Sequence, residues 1–85
     1  MKLSSKGRYA VMAMADLASV NANQPINLTE ISLRQGISIS FLEQIFSKLK
    51  RSNLVKSSRG PSGGYELSKT PEEINLSSIF RAVDD

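Results

Sequence analysis

A glycine-centred turn between two helical patterns is the feature that most limits the folds open to this chain. Gly36 ends a short pattern in which Thr29 is placed to cap a helix and Ile31 to face inward. Ile37 then fills the turn with an apolar side chain. Beyond the turn, apolar residues recur with the spacing of one helix face, at Leu42, Ile45, Phe46 and Leu49. This order predicts two helices packed across a short connection, which is a helix-turn-helix.

The second helix of this pair is predicted to span residues 40–52 and to carry a polar outer face. Ser40 and Glu43 fit the S-x-x-E capping box that opens many helices. Asn53 is suited to the left-handed residue that often follows a helix. The side away from the apolar face carries Glu43, Gln44, Ser47, Lys48, Lys50 and Arg51. A polar and basic outer face at this place is typical of a helix that enters the major groove of DNA.

A β-hairpin is predicted directly after this helix. Residues 54–58 and 65–68 alternate as strands, and the glycine- and proline-rich residues 59–64 form the tip between them. Arg59 stands at the base of the tip, where it can reach the minor groove of a bound duplex. The tip does not resemble a nucleotide-binding loop, because no Gly-Lys-Ser/Thr follows it. A hairpin in this position is a wing.

Two further helices are predicted to complete a single domain over residues 1–85. The first ends near Val20 and has one apolar face, formed by Ala10, Ala13, Met14 and Leu17. Residues 70–73 resemble a turn or helix start, and Asn75 can cap a last helix. Its apolar side chains are Leu76, Ile79, Phe80 and Val83. The predicted fold class is therefore mainly α, a winged helix-turn-helix with a two-stranded hairpin.

Composition and charge exclude several classes of function. The chain of 85 residues has no cysteine and no histidine, so we expect no disulfide, no metal site, no cofactor and no enzyme activity. No membrane span or targeting segment is recognisable, and a cytoplasmic location is expected. The net charge is +3, and residues 44–65 hold no acidic residue but the basic side chains Lys48, Lys50, Arg51, Lys56 and Arg59. Charge focused in this way indicates a polyanionic partner.

Four strings closely resemble the IscR family of bacterial winged-helix transcription regulators, relatives of the iron–sulfur cluster repressor. They are KGRYA at residues 6–10, QGIS at 35–38, LEQIF at 42–46 and RGPSGGY at 59–65. The resemblance covers nearly the whole chain, and the four strings stand in the family's order. It implies a sequence-specific DNA-binding regulator of transcription, a repressor, that binds double-stranded DNA.

The same resemblance implies roles for particular residues. It places Ser38, Ser40, Glu43 and Gln44 at the major groove. It places Arg59 in the minor groove with Gly60 beside it, and Arg8 and Tyr9 near the DNA backbone. Lys48, Lys50 and Arg51 are expected to contact phosphates rather than bases. Gln44 can pair with adenine.

The chain departs from the family in lacking cysteine. Cluster-sensing members carry three cysteines, a further ligand and a long dimerisation helix in a segment beyond the last residue here, so we expect no cluster and a weakened homodimer. Three alternatives stay open from the residues. In the first, Ser38 and Ser40 are helix caps and nothing more. In the second, Glu43 closes the capping box with Ser40 instead of contacting a base. In the last alternative, the whole domain serves protein–protein contact and has lost DNA binding. Its lysines favour DNA over this alternative, because protein interfaces are depleted of lysine.

Overall fold

The computed structural model describes residues 5–19, 24–58 and 63–84. In order, these residues form α1 (Ser5–Ser19), α2 (Leu28–Gln35), α3 (Ile39–Arg51), β1 (Val55–Ser58), β2 (Gly64–Leu67), a short 3-10 helix (Pro71–Glu73) and α4 (Leu76–Asp84). Helices α2 and α3 are the predicted helix-turn-helix, and the antiparallel strands β1 and β2 are the predicted hairpin. The mainly α, winged fold class is confirmed. The predicted end of the first helix near Val20 lies outside the described residues.

Helix α2 begins one residue after Asn27, and the prediction that Thr29 caps it is wrong. The Asn27 Oδ1 atom accepts a hydrogen bond from the Glu30 N–H at 2.9 Å. Asparagine is at least as good a cap as threonine, and the earlier start brings Leu28 into the helix, where its side chain packs on the core. The helix ends as predicted at Gly36, which adopts the left-handed φ of 68° and donates its N–H to the Ser32 carbonyl.

Helix α3 is capped by Ser38, and the predicted capping box of Ser40 and Glu43 is wrong. The Ser38 Oγ accepts a hydrogen bond from the Phe41 N–H at 3.2 Å, and Ser40 lies within the first helical turn. The cap moves because Ser38 stands directly after the buried Ile37, at the point where the chain leaves the turn. The observed bounds differ by one residue from the predicted 40–52, and Asn53 has the predicted left-handed φ, 63°.

The core is built from the predicted apolar faces. The four apolar residues predicted to face the core from α1 are all buried, and so are the four predicted for α3. Ile31 and Ile37 are buried as well. In α4 the prediction holds for Ile79 and Val83, whereas Leu76 is 57% exposed. Asn75 caps α4 as predicted, because its Oδ1 accepts from the Ser78 N–H at 2.8 Å. The hydrophobic centre therefore lies between α1, α3 and α4, with the outer side of α3 facing away from it.

The wing is attached to the body of the domain through the segment before α2. Strand β1 pairs with β2 in a register that sets Val55 opposite Leu67. Ile26 extends this pairing, since it exchanges backbone hydrogen bonds of 2.9 and 2.8 Å with Tyr65. A Cβ atom on Gly64 would lie 2.4 Å from the Ile26 carbonyl oxygen, so only glycine allows the two backbones to approach so closely.

A buried carboxylate joins the first two helices. Asp16 of α1 is 4% exposed and accepts hydrogen bonds from Arg34 of α2 at 2.9 and 2.6 Å. Gln35 donates a third bond at 2.9 Å. The Arg34 hydrogen bond is the main reason that the pKa of Asp16 lies below its ordinary value. No sequence pattern marks Asp16, yet its carboxylate sets the position of α2.

Replacing Gly64 with alanine should loosen the wing. The added methyl group meets backbone rather than a flexible side chain, so Ile26 or β2 must shift, and we expect a loss of about 1–3 kcal/mol of folding free energy. Chemical unfolding of Gly64→Ala measures this loss, and Ser57→Ala on exposed β1 is the control. An unchanged midpoint for Gly64→Ala would show that the approach is not tight.

Asp16→Asn should reduce the acid sensitivity of folding. Since the folded-state pKa of Asp16 lies below the ordinary 3.8, its contribution is complete above that value and is lost as the pH falls through the folded-state pKa. At about pH 6 the free energy of unfolding of the variant should be about 1.5–3 kcal/mol below that of the wild type. At about pH 3 this difference should be smaller. Urea unfolding at both pH values tests this.

Glu73→Gln is the matched control for this pH series. Thr70 lowers the pKa of Glu73 by hydrogen bonding, but Glu73 is exposed, so its effect should be small. A difference between the wild type and Asp16→Asn that stays constant from about pH 6 to about pH 3 would contradict the assignment to Asp16.

Candidate nucleic-acid interface

The outer side of α3 presents a continuous polar stripe. Its members are spaced four, three and four residues apart, which places them on one side of a helix. All are exposed, and they lie opposite the buried apolar face of the same helix. We call this set the α3 stripe: Ser40, Gln44, Ser47 and Arg51.

Glu43 and Lys50 border the stripe and are both exposed. The Ser38 cap leaves Glu43 outside any capping box. Within the described part of the chain, the Glu43 carboxylate forms no hydrogen bond or salt bridge. The structure therefore favours a carboxylate available to a partner over one that only closes a helix start.

Arg8 and Tyr9 reach the beginning of α3 from α1. The ring of Tyr9 packs edge-on against Phe41, with 5.4 Å between ring centroids. The Arg8 guanidinium lies 5.6 Å from the Tyr9 ring centroid in a cation–π arrangement. Since Phe41 follows closely after the Ser38 cap, these contacts bring the predicted backbone-contact residues to the N-terminal part of α3.

Lys48 lies on the flank of α3 and faces α4. Its Nζ donates a hydrogen bond to the Val83 carbonyl at 3.2 Å, and the residue is half-buried. A lysine ammonium at the C-terminal end of a helix donates to a terminal carbonyl and interacts favourably with the negative end of the helix dipole. Lys48 thus has a structural role that no sequence pattern indicates, and its predicted phosphate contact stays a prediction.

The predicted wing residues Arg59 and Gly60 lie outside the described residues. The described wing carries an ion pair between Lys56 of β1 and Glu66 of β2 at 3.8 Å. Tyr65 packs its ring against Phe46 of α3, with centroids 4.9 Å apart, so the base of the wing and α3 share a contact. The half-buried Tyr65 therefore packs against the core.

Ser47 lies in the middle of the α3 stripe, although it is not among the predicted contact residues. Helical spacing places it there, because Ser40, Gln44 and Ser47 follow the i, i+4, i+7 pattern of one face. A small hydroxyl between longer side chains leaves room for a close approach of that face to a partner.

The described residues offer no site for a metal ion. No group of three or more histidine, cysteine, aspartate or glutamate side chains comes together in residues 5–19, 24–58 and 63–84. Nor does any helix among these residues have the length and apolar character to cross a membrane.

A helix-turn-helix with a polar outer stripe on its second helix and a hairpin behind it defines a winged helix-turn-helix protein. Residues 3–85 match the Rrf2 family, described as an iron-dependent transcriptional regulator. The chain belongs to the Rrf2 family, a family of transcription regulators and not of enzymes.

Similar proteins agree with this assignment. The chain is 55% identical over 85 residues to the HTH-type transcriptional regulator IscR of Aliivibrio salmonicida, and covers 51% of it. It covers 52% of a putative HTH-type transcriptional regulator of Azotobacter vinelandii, ORF2, at 53% identity. The chain thus spans about half the length of the curated relatives it matches.

Solved structures share the fold. CymR, the global cysteine regulator of B. subtilis, superposes with a TM-score of 0.93 at 38% identity, over 99% of this chain and 65% of that one. IscR of T. potens gives a TM-score of 0.91 at 42% identity, over 100% of this chain and 62% of that one. The predicted IscR-like resemblance is confirmed.

Lys48→Met should destabilise the fold, whereas Lys50→Met should not. The first variant leaves a carbonyl of α4 without its donor and is expected to cost about 0.5–1.5 kcal/mol. The second changes an exposed side chain and should stay within about 0.5 kcal/mol of the wild type. Urea unfolding compares them, and equal midpoints would argue against a structural role for Lys48.

Proposed function

We propose that residues 1–85 form one DNA-binding domain of a transcriptional repressor and that α3 enters the major groove. The observation that carries the proposal is the exposed α3 stripe, which lies opposite the buried face of its helix. A major groove admits an α-helix whose outer side chains meet base edges. Family membership supports a role in transcription.

Within this proposal the residues of α3 divide into base and phosphate contacts. Gln44 pairs with adenine, and the free carboxylate of Glu43 accepts a hydrogen bond from the cytosine amine. Ser40 and Ser47 let the stripe lie close to the base edges. Lys48, Lys50 and Arg51, at the C-terminal half of α3, contact phosphates, which fix the register without selecting sequence.

The N-terminal residues and the wing hold the two sides of the duplex. Arg8 contacts the DNA backbone, and Tyr9 supports Arg8 through the observed ring contact. Ser38, at the start of α3, lies at the major groove. Arg59, with Gly60 beside it, enters the minor groove from the connection between β1 and β2. The β1–β2 register supports this part, because residues 59–63 join the paired Ser58 and Gly64.

The chain's own residues do not fit an iron–sulfur cluster or another transition-metal centre. It has no cysteine and no histidine, so no cofactor is proposed for residues 1–85. Ligands for iron would have to come from residues outside this sequence. A repressor of this kind acts in the bacterial cytoplasm as a homodimer on two half-sites.

Gln44→Ala and Lys50→Ala should affect DNA binding in different ways. When the wild-type protein is used to select DNA duplexes from a random pool, a defined sequence motif should be enriched. Gln44→Ala should lose preference at one base position, at a cost of about 1–3 kcal/mol on the selected site. Lys50→Ala should keep the motif, bind every duplex more weakly, and reduce the salt slope by about one unit.

Lys56→Gln on the wing is the control, since Lys56 is exposed and lies outside the proposed contact set. Failure of the wild type to enrich any motif would contradict sequence-specific binding. Loss of the whole motif in Lys50→Ala would contradict the division into base and phosphate contacts.

A further inference from the structure

A polar cleft between the end of α3 and the outer side of α4 belongs to neither the α3 stripe nor the core. It has a volume of about 240 Å³, which is below the usual size of drug-binding pockets. None of the residues of the α3 stripe lines it. Its lining residues are Ser52, Leu54, Lys69, Ser78, Arg81 and Ala82.

The cleft is assembled by backbone bonds rather than by chance proximity of surface side chains. The left-handed Asn53 turns the chain after α3, and the Ser68 N–H donates to the Leu54 carbonyl at 3.0 Å. This bond holds the following Lys69 beside the turn. Ser78 and Arg81 are one helical turn apart on α4 and so face the same space.

Both cations of the cleft have unpaired side chains within the part of the chain that the structure describes. There, neither the Lys69 ammonium nor the Arg81 guanidinium forms a hydrogen bond or salt bridge. The Glu73 carboxylate accepts hydrogen bonds from the N–H and the hydroxyl of Thr70 at 3.0 and 2.9 Å. These bonds are the main reason that the pKa of Glu73 is lowered, and the charge of Lys69 adds to the effect without forming a salt bridge. No lining residue is acidic.

We propose that this cleft binds a small free oxyanion, of the phosphate or sulfate class, at a site separate from the DNA-contacting stripe. Arg81 and Lys69 supply the positive charge, and a guanidinium can hold an oxyanion with two parallel hydrogen bonds. Ser52 and Ser78 line the same space, and the Ser78 hydroxyl is held there by a hydrogen bond that it donates to the Asn75 Oδ1 at 3.0 Å. The small volume fits an inorganic ion or a small phosphorylated metabolite and not a larger ligand.

Sulfate is the probe, and sodium chloride at equal ionic strength is the reference. The thermal midpoint of the wild type should rise saturably with sulfate beyond the chloride effect, because a ligand that binds only the folded state stabilises it. The double variant Lys69→Gln/Arg81→Gln should need about tenfold more sulfate. Lys6→Gln/Lys56→Gln removes the same charge elsewhere and should respond like the wild type.

Two further measurements keep the test decisive. Amide shifts of Ser52 and Ser78 in wild-type protein should follow the sulfate titration, and unmoved signals would overturn the proposal even if the double variant does not fold. DNA affinity of the double variant should equal that of the charge-matched control. A larger loss in the cleft variant would show that the cations hold a DNA phosphate and would overturn a separate site for a free oxyanion.

Discussion

The position of the whole helix-turn-helix depends on one buried carboxylate. Asp16 lies within α1 and accepts three hydrogen bonds from Arg34 and Gln35 at the end of α2. Burying an unpaired carboxylate would be strongly unfavourable, so α1 and α2 can only pack in the arrangement that satisfies it. Gly36 and Ile37 follow at once, and they connect this fixed point to α3. The direction in which the α3 stripe faces is thus decided by a contact on another helix.

A second constraint couples the wing to the same helix. Gly64 permits the backbone of β2 to approach Ile26, and Tyr65 then pairs with Ile26 while its ring packs against Phe46 of α3. The segment before α2, the wing and α3 therefore share one contact region. The proposed contact with both grooves of a duplex needs the helix and the wing held at a constant separation, and this contact region joins the two.

Much of the fold follows from local patterns in the sequence. The apolar faces of α1 and α3 follow the helical period, and Gly36 and Asn53 mark the ends of helices where left-handed backbone is required. The helix starts were less predictable, because several capping residues stand close together and the choice among them depends on tertiary packing. For this reason α2 is capped by Asn27 rather than Thr29, and α3 is capped by Ser38 rather than Ser40.

The candidate site was predictable only in part. The outer residues of α3, Ser47 among them, follow from helical spacing. The roles of Asp16 and Lys48 do not, since their partners Arg34 and Val83 lie 18 and 35 residues away in sequence. No periodicity marks such pairs. The charge pattern alone therefore gives no sign that the Lys48 Nζ also bonds to the Val83 carbonyl of α4.

The most direct test of the central claim is an NMR titration of isotopically labelled protein with a short duplex at low salt. We expect the largest amide shifts along α3, at Ser40, Gln44, Ser47 and Arg51, and smaller changes near Arg8. These shifts should be lost progressively as salt is added. Shifts confined to α4 and the 3-10 helix, with α3 unmoved, would contradict the assignment of α3 as the DNA-contacting element.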